Sequence, residues 1–407
     1  MCYSSFLSFS IFGTQVLLAK PALRWYDAER MMELIYMQTQ AVSAETPWLL
    51  PLAFALFGAC IGSFLNVVVY RLPRGLSVNE PSRSFCPSCG KAIPWYLNLP
   101  ILSWLMLRGK SACCGKRIAV RYWLVELACS ALFCVIAWYF SPEDIFTQIL
   151  LCVWVALMLA CFCIDWEQMV VLPSLTVSAA VTGLLLSGLS PWMVEPESLD
   201  PADGLLWSMV GAVGGFVLFR MVGLLGKLLF GRRSARFEHP VKWTLQQAAD
   251  GEDIELTLGE EKLLWSSIFI EQSNRLTLTG AFLDQPACKA EAGLVFTPDA
   301  LLLPDGTRIE LESVQSLSGM ALGYRVRREA MGSGDAWLAL AIGAVGGWQG
   351  VVFSLVAGSF IALLWAAVAR IGFGKPMPFG PALLIAAVVW IFFGLEIQEL
   401  AETYYLR

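Results

Sequence analysis

Histidine is nearly absent from this chain: one residue, His239, among 407. That scarcity excludes a triad or a metal centre built on imidazole, and His239 itself reads as a surface residue of a soluble segment. Charge is scarce too. Only 15% of residues are Asp, Glu, Lys or Arg, against about 25% in soluble domains. Hydrophobic residues make up 57%, so the chain reads as a polytopic membrane protein. Nothing in it forms a surface for nucleic acid. The net charge of −5 says less than where the charges fall. The first residues lack a basic start and a small-residue cleavage site, so the apolar run 5–19 is not a signal peptide. It is also too short to span a bilayer, which takes about 20 residues. Residues 1–47 are therefore expected to be an extension, with Met31, Met32 or Met37 as the true start.

What is present is a series of apolar runs. The first span is expected over 48–71, stopped by Arg71-Leu72-Pro73-Arg74. A loop over 72–121 follows, rich in Arg and Lys, which the positive-inside rule places in the cytoplasm. Spans two to five fall within 122–230, at about 122–140, 146–164, 171–190 and 204–230. Pro173 suits a first helical turn, where its missing N–H costs little. Gly211 and Gly215 have the small-residue spacing of closely packed membrane helices. After an insert, spans six to eight are expected at about 335–348, 349–370 and 381–397, with a tail over 398–407. With eight spans, every basic loop falls inside.

Residues 231–330 differ in character. Ile254–Leu258 and Arg275–Thr279 alternate as strands do. Residues 301–311 read as a hairpin turning at Asp305-Gly306. The expected fold class is all-α and polytopic, with about eight membrane helices, a cysteine-containing cytoplasmic loop and a small β-rich cytoplasmic insert. The insert carries no catalytic motif and reads as a structural or docking element.

Two carboxylates stand out. Asp165 ends the third span, and Asp335 closes Gly332-Ser333-Gly334-Asp335 where the apolar chain resumes. Ionised groups at membrane depth are costly and commonly functional. The glycines at 332 and 334 let the backbone turn tightly and meet a partner closely. Two carboxylates brought together share a proton. One then serves as base toward water and the other as acid toward a carbonyl. That apparatus hydrolyses a peptide without a nucleophile or a metal. The alternative is that each merely ends a helix at the interface.

Of 12 cysteines, several sit in apolar runs and read as small buried hydrophobes. Cys86, Cys89, Cys113 and Cys114 cluster in the polar loop and suit a structural zinc site. Adjacent Cys113 and Cys114 are expected to fit one tetrahedron poorly, and a second CxxC would need a thiol at Ser111. The alternative is a loop that folds without metal.

Several stretches are similar to the type IV prepilin peptidases. They are Gly62-Ser63-Phe64-Leu65-Asn66 through Arg71-Leu72-Pro73, Cys86-Pro87-Ser88-Cys89, and Ile93-Pro94-Trp95-Tyr96-Leu97-Asn98-Leu99-Pro100. Arg108-Gly109-Lys110 and Arg121-Tyr122-Trp123-Leu124-Val125-Glu126 continue the series. Ile164-Asp165, Leu172-Pro173, Ala330-Met331-Gly332-Ser333-Gly334-Asp335 and Pro378-Phe379-Gly380-Pro381 complete it in order. The sequence departs from that pattern at Ser111, at Ser174 where an aspartate is usual, and at Trp337 where a lysine is usual. Its β-rich insert is also larger.

The resemblance implies an aspartyl endopeptidase of the bacterial inner membrane, with Asp165 and Asp335 as its catalytic pair. It implies cleavage of the leader of type IV prepilins or type II secretion pseudopilins on the cytoplasmic side. Methylation of the new N-terminus by S-adenosylmethionine is the second implied activity, tied to the cysteine loop. Two other classes remain: a non-enzymatic scaffold of a pilus or secretion assembly, and a proton-coupled transporter. The lipid bilayer and a prepilin or pseudopilin leader are the implied partners.

Overall fold

The computed structural model describes residues 6–11, 14–19, 37, 45–80, 85–86, 88–140, 145–195, 198–230, 232–247, 254–259, 261–269, 274–283, 293–303, 305–311, 316–327, 332–370 and 377–405. The expected start sites Met31 and Met32, the hinge 141–144 and Lys375-Pro376 lie outside these. Within the expected N-terminal extension, β1 (Phe6–Ile11) pairs antiparallel with β2 (Thr14–Ala19).

Long apolar runs hydrogen-bond their own backbone because a bilayer offers no other partner. The result is seven long helices among the described residues: α1 (Leu49–Arg71), α2 (Val120–Tyr139), α3 (Ile145–Gln168), α4 (Pro173–Leu189), α5 (Pro201–Phe230), α6 (Ser333–Val368) and α7 (Gly380–Tyr405). Six are long and apolar enough to cross a membrane, and α4 is a shorter apolar helix. Large apolar side chains such as Val213, Leu225, Phe360 and Leu363 are exposed. In water that surface would be a liability, and in lipid it is the ordinary exterior. The protein is a multi-pass helical membrane protein with an antiparallel β insert.

Spans six and seven occupy one element, α6, which breaks at Gly347 (φ 62°, ψ −168°). Only glycine adopts that region readily. A Cβ on Gly211 would lie 2.5 Å from the Gly343 carbonyl oxygen and 2.6 Å from the Gly347 carbonyl carbon. On Gly215 it would lie 2.9 Å from both the Ala339 oxygen and Val351 Cγ2. Both arms of α6 therefore touch the same stretch of α5, and the chain doubles back at Gly347. The expected count of eight spans is therefore not reached among the described residues: six helices are long and apolar enough to cross, α4 is shorter, and expected spans six and seven form one helix broken at Gly347. The expected tail beyond residue 397 is instead helical through Tyr405, since Gln398, Glu399 and Glu402 are good helix formers although they are not apolar.

The insert is a single antiparallel sheet, ordered β10-β9-β8-β6-β11-β3-β4-β5, with β7 also on β11. The expected strands are β4 (Ile254–Leu258) and β6 (Arg275–Thr279). The expected hairpin pairs β9 (Ala300–Leu302) with β10 (Arg308–Glu310), Leu301 opposite Ile309. Asp305 Oδ1 accepts the Thr307 N–H at 2.9 Å, which holds its carboxyl below the usual range. The remaining strands are β5 (Glu261–Leu264), β7 (Phe282–Leu283) and β8 (Leu294–Phe296). The two longest, β3 (Arg232–Gln247) and β11 (Leu317–Arg327), pair from Leu245–Leu317 to Arg232–Arg327. That pairing brings entry and exit of the insert together. Its core holds Trp243, Leu256, Leu276, Phe296 and Tyr324, all fully buried, with Trp243 and Trp265 each edge-on to Phe296 at 5.7 Å.

Candidate active site

Asp165 lies in the last turn of α3 and Asp335 in the first turn of α6. Both are buried, at 6% and 8% exposure. A carboxylate in a first turn sits favourably against the helix dipole. The α3 terminus is fixed by the Met169 N–H, which bonds the Asp165 carbonyl at 2.9 Å. Gly332 caps α6 with extended backbone, and the Asp335 N–H reaches its carbonyl at 3.3 Å. A Cβ on Gly334 would lie 2.7 Å from Val171 Cβ, so the turn before Asp335 presses onto the segment that follows Asp165. Trp154 Nε1 donates to the Ala341 carbonyl at 3.1 Å and ties the middle of α3 to the first arm of α6. Trp166 meets Trp365 edge-on at 5.1 Å.

The third wall is Gly380, the first residue of α7. A side chain there would meet both the Asp165 carboxylate and Leu338. Leu338 stands one helical turn beyond Asp335, on the same face. Asp165 Oδ2 is buried without a hydrogen-bond partner among the described residues. Three helix ends thus converge: one carries Asp165, one carries Asp335, and one brings a residue without a side chain. Trp337 lies edge-on to Phe216 at 5.0 Å. In the sequence Gly380 is only one residue of Pro378-Phe379-Gly380-Pro381. The Arg121–Glu167 ion pair at 2.6 Å, which joins the start of α2 to the end of α3, has no sequence signature either. A glycine's role as a wall leaves no signal in composition.

The four expected thiols also come together. The sulfurs of Cys86, Cys89, Cys113 and Cys114 lie within 4.8 Å of one another. Two matching turns present them. In the first, the Cys86 N–H bonds the Lys91 carbonyl and the Gly90 N–H bonds the Cys86 carbonyl, both at 2.8 Å. In the second, Ser111, Gly115 and Lys116 repeat the same two bonds, also at 2.8 Å. Gly90 and Gly115 share a positive φ, 71° and 68°. Ser111 therefore stands where Cys86 stands, and Cys113 supplies the remaining thiol from inside the turn. The expectation that adjacent Cys113 and Cys114 fit one centre poorly is corrected: the tight turn points both sulfurs at the first knuckle.

Zinc–sulfur bonds of about 2.3 Å imply sulfur separations of about 3.8 Å in a tetrahedron. Cys86–Cys114 is 3.8 Å, at that value, and Cys89–Cys113 is 3.2 Å, shorter than it, so the four thiols form a cluster compatible with the metal. The Ser111 hydroxyl, then the Ser88 backbone, hold the Cys86 thiol down to about 6. At Cys89 the Lys91 N–H favours the thiolate, but Cys113, desolvation and then the other two thiols together outweigh it and push the group up to about 11. Thiolates this close resist joint ionisation unless a cation balances them.

Two family models match parts of the chain. The model described as Bacterial Peptidase A24 N-terminal domain matches residues 56–140. The one described as Type IV leader peptidase family matches residues 272–367. A Klebsiella pneumoniae protein named Prepilin leader peptidase/N-methyltransferase is 32% identical over 198 residues, covering 47% of this chain and 81% of the relative. The chain belongs to the type IV leader peptidase family. A Pseudomonas putida member of the same name is 33% identical, over 47% of this chain and 69% of its own length. One from Myxococcus xanthus is 37% identical over 44% of this chain, which spans about half of that relative, 51%. No solved structure matches the chain.

Proposed function

We propose that this family member is an aspartyl endopeptidase of the bacterial inner membrane that removes the leader from type IV prepilins or type II secretion pseudopilins. Asp165 and Asp335 act as its catalytic pair. The observation that carries this is that two buried acids stand at helix ends, with Gly380 packed between Asp165 and Leu338, one turn beyond Asp335. One carboxylate takes a proton from water as its oxygen attacks the scissile carbonyl carbon. The other, protonated, donates to the carbonyl oxygen, and a proton then passes to the leaving amine as the C–N bond breaks. The pair titrates as a unit. Gly332 leaves the substrate backbone free to approach, and Gly334 lets the turn before Asp335 close against Val171. The basic loop 72–121 lies in the cytoplasm by the positive-inside rule, which places both aspartates, the insert and the leader on that side.

The second activity is methylation of the new N-terminus; the relatives carry N-methyltransferase in their name. S-adenosylmethionine, when bound, supplies the methyl group. A structural zinc would be held by Cys86, Cys89, Cys113 and Cys114 and would brace the loop. The test is purified protein with a prepilin, read by mass spectrometry. Cleavage at the leader junction and a mass gain of one methyl group are expected. An intact prepilin would overturn the peptidase, and an unmodified new N-terminus would overturn the transferase.

A further inference from the structure

The outer face of the β insert carries a concentration of arginines that peptide hydrolysis does not use. Alternation along three adjacent strands creates it. On β6, Leu276 and Leu278 are in the core, and Arg275, Thr277 and Thr279 lie on the other face. On β11, Tyr324 and Val326 are buried and Arg325 is exposed. On β3, Ala235 and Phe237 pack against the core, and Ser234 and Arg236 are exposed. Successive strand residues take opposite faces, so the outward residues of all three strands share one surface.

Register arranges them in rows. Arg236 lies opposite Gly323, and Gly323 opposite Thr279. Ser234 lies opposite Arg325, and Arg325 opposite Thr277. Arg232 lies opposite Arg327, and Arg327 opposite Arg275. Neighbouring strands are about 4.8 Å apart and alternate residues about 7 Å apart, so these positions span roughly 10 Å by 14 Å. Five of them are arginine and none is acidic. Gly323 keeps the middle of the patch flat: a Cβ there would lie 3.1 Å from Thr279 Oγ1 and 3.2 Å from Arg236 Cα. Among the described residues, Arg236, Arg275 and Arg325 make no ion pair. The next acid along β3, Glu238, comes only beyond Arg236.

The patch lies at the membrane end of the sheet. β3 begins at Arg232, just after α5 ends at Phe230, and β11 ends at Arg327, before α6 opens at Ser333. Further along the sheet the same face is mixed, with Lys242 on β3 and Glu255 on β4. The basic flank of a span accounts for Arg232. It does not account for Arg275, which is far from either span in sequence and is brought there by pairing with β11.

Guanidinium groups are weakly hydrated and match phosphate oxygens with a planar fork of donors. The hydroxyls of Ser234, Thr277 and Thr279 stand between them as further donors. Cations within a Debye length of an anionic leaflet, about 8 Å at physiological ionic strength, are drawn to it. A surface for single-stranded nucleic acid would set aromatic rings among the cations, and these rows hold none. We propose that the arginine face docks the insert onto the phosphates of anionic lipid headgroups at the membrane surface. Docking steadies the end of β11 that leads into the turn before Asp335. It stands independently of the peptidase and transferase readings.

The test uses the full-length protein in nanodiscs and phenylglyoxal, which modifies accessible guanidinium groups. Modification of each arginine is followed by mass spectrometry in discs of phosphatidylcholine alone and in discs that also contain phosphatidylglycerol. Modification of Arg236, Arg275 and Arg325 is expected to slow at least about fivefold with the anionic lipid. That protection should vanish at about 1 M salt, where the Debye length is about 3 Å. Arg236→Gln combined with Arg325→Gln is expected to return Arg275 to its rate in phosphatidylcholine. Equal wild-type rates in the two kinds of disc overturn the proposal, as does full protection of Arg275 in the double variant. Inorganic phosphate in phosphatidylcholine discs that protects as well as the lipid would make the face a free-phosphate site and overturn it. Protection by single-stranded RNA with none from phosphatidylglycerol would make it a nucleic-acid surface and overturn it too.

Discussion

Gly380 lies so close to Asp165 that a Cβ built on it would stand 2.5 Å from Asp165 Oδ2. The same Cβ would be 2.8 Å from Leu338 Cδ1 on α6, so it has nowhere to go. Gly380→Ala must displace the Asp165 carboxylate and the tip of the Leu338 side chain. Leader cleavage is expected to fall at least about tenfold, roughly 1.4 kcal/mol of barrier, while the protein stays folded. Initial rates of leader release in detergent, with the unfolding temperature as control, check this.

The aspartates themselves give a sharper outcome. Asp165→Asn and Asp335→Asn each remove one member of a unit, and such units fail together. Either change is expected to reduce cleavage by on the order of a thousandfold or more, and the double variant should be no worse than the singles. Mass spectra of prepilin after prolonged incubation read the residual cleavage. Processing that survives both changes would remove the pair from the mechanism.

The cysteine cluster predicts a metal stoichiometry. Wild type is expected to retain a single zinc after exchange into metal-free buffer, measured by elemental analysis. Cys86→Ser or Cys114→Ser should lose it. Ser111→Cys should keep it, because that position repeats the place of Cys86 in the matching turn. Retention of metal by both serine variants would count against the site.

Gly347 carries a backbone conformation closed to other residues. Gly347→Ala is expected to cost about 1–3 kcal/mol of strain and to lower the unfolding temperature in detergent. An unchanged temperature would show that the reversal tolerates a side chain.

Most of the helical frame was legible because hydropathy needs no partner: α1, α3 and α5 begin within a few residues of where the apolar runs do. The insert was half legible. β4 and β6 alternate cleanly, while β11 does not, because its register shifts between Ala321 and Gly323. Leu317 and Ala321 are buried before the shift, and Tyr324 and Val326 after it, which breaks the two-residue period. β3 begins in arginines that read as the basic flank of a span. At the site, Asp165 and Asp335 were legible as acids at the ends of apolar runs. Gly380 was not, since its meaning lies in what packs beside it.

The reversal at Gly347 also sets a depth. The arm of α6 from Ser333 to Gly346 is about 21 Å long at 1.5 Å per residue. A bilayer's hydrocarbon is about 30 Å thick. An arm that short cannot reach from one aqueous face to the other, so its two ends cannot both stand in water. If Gly347 sits near the far face, Asp335 is sunk below the near one, and a leader must be drawn down to it rather than cut at the surface.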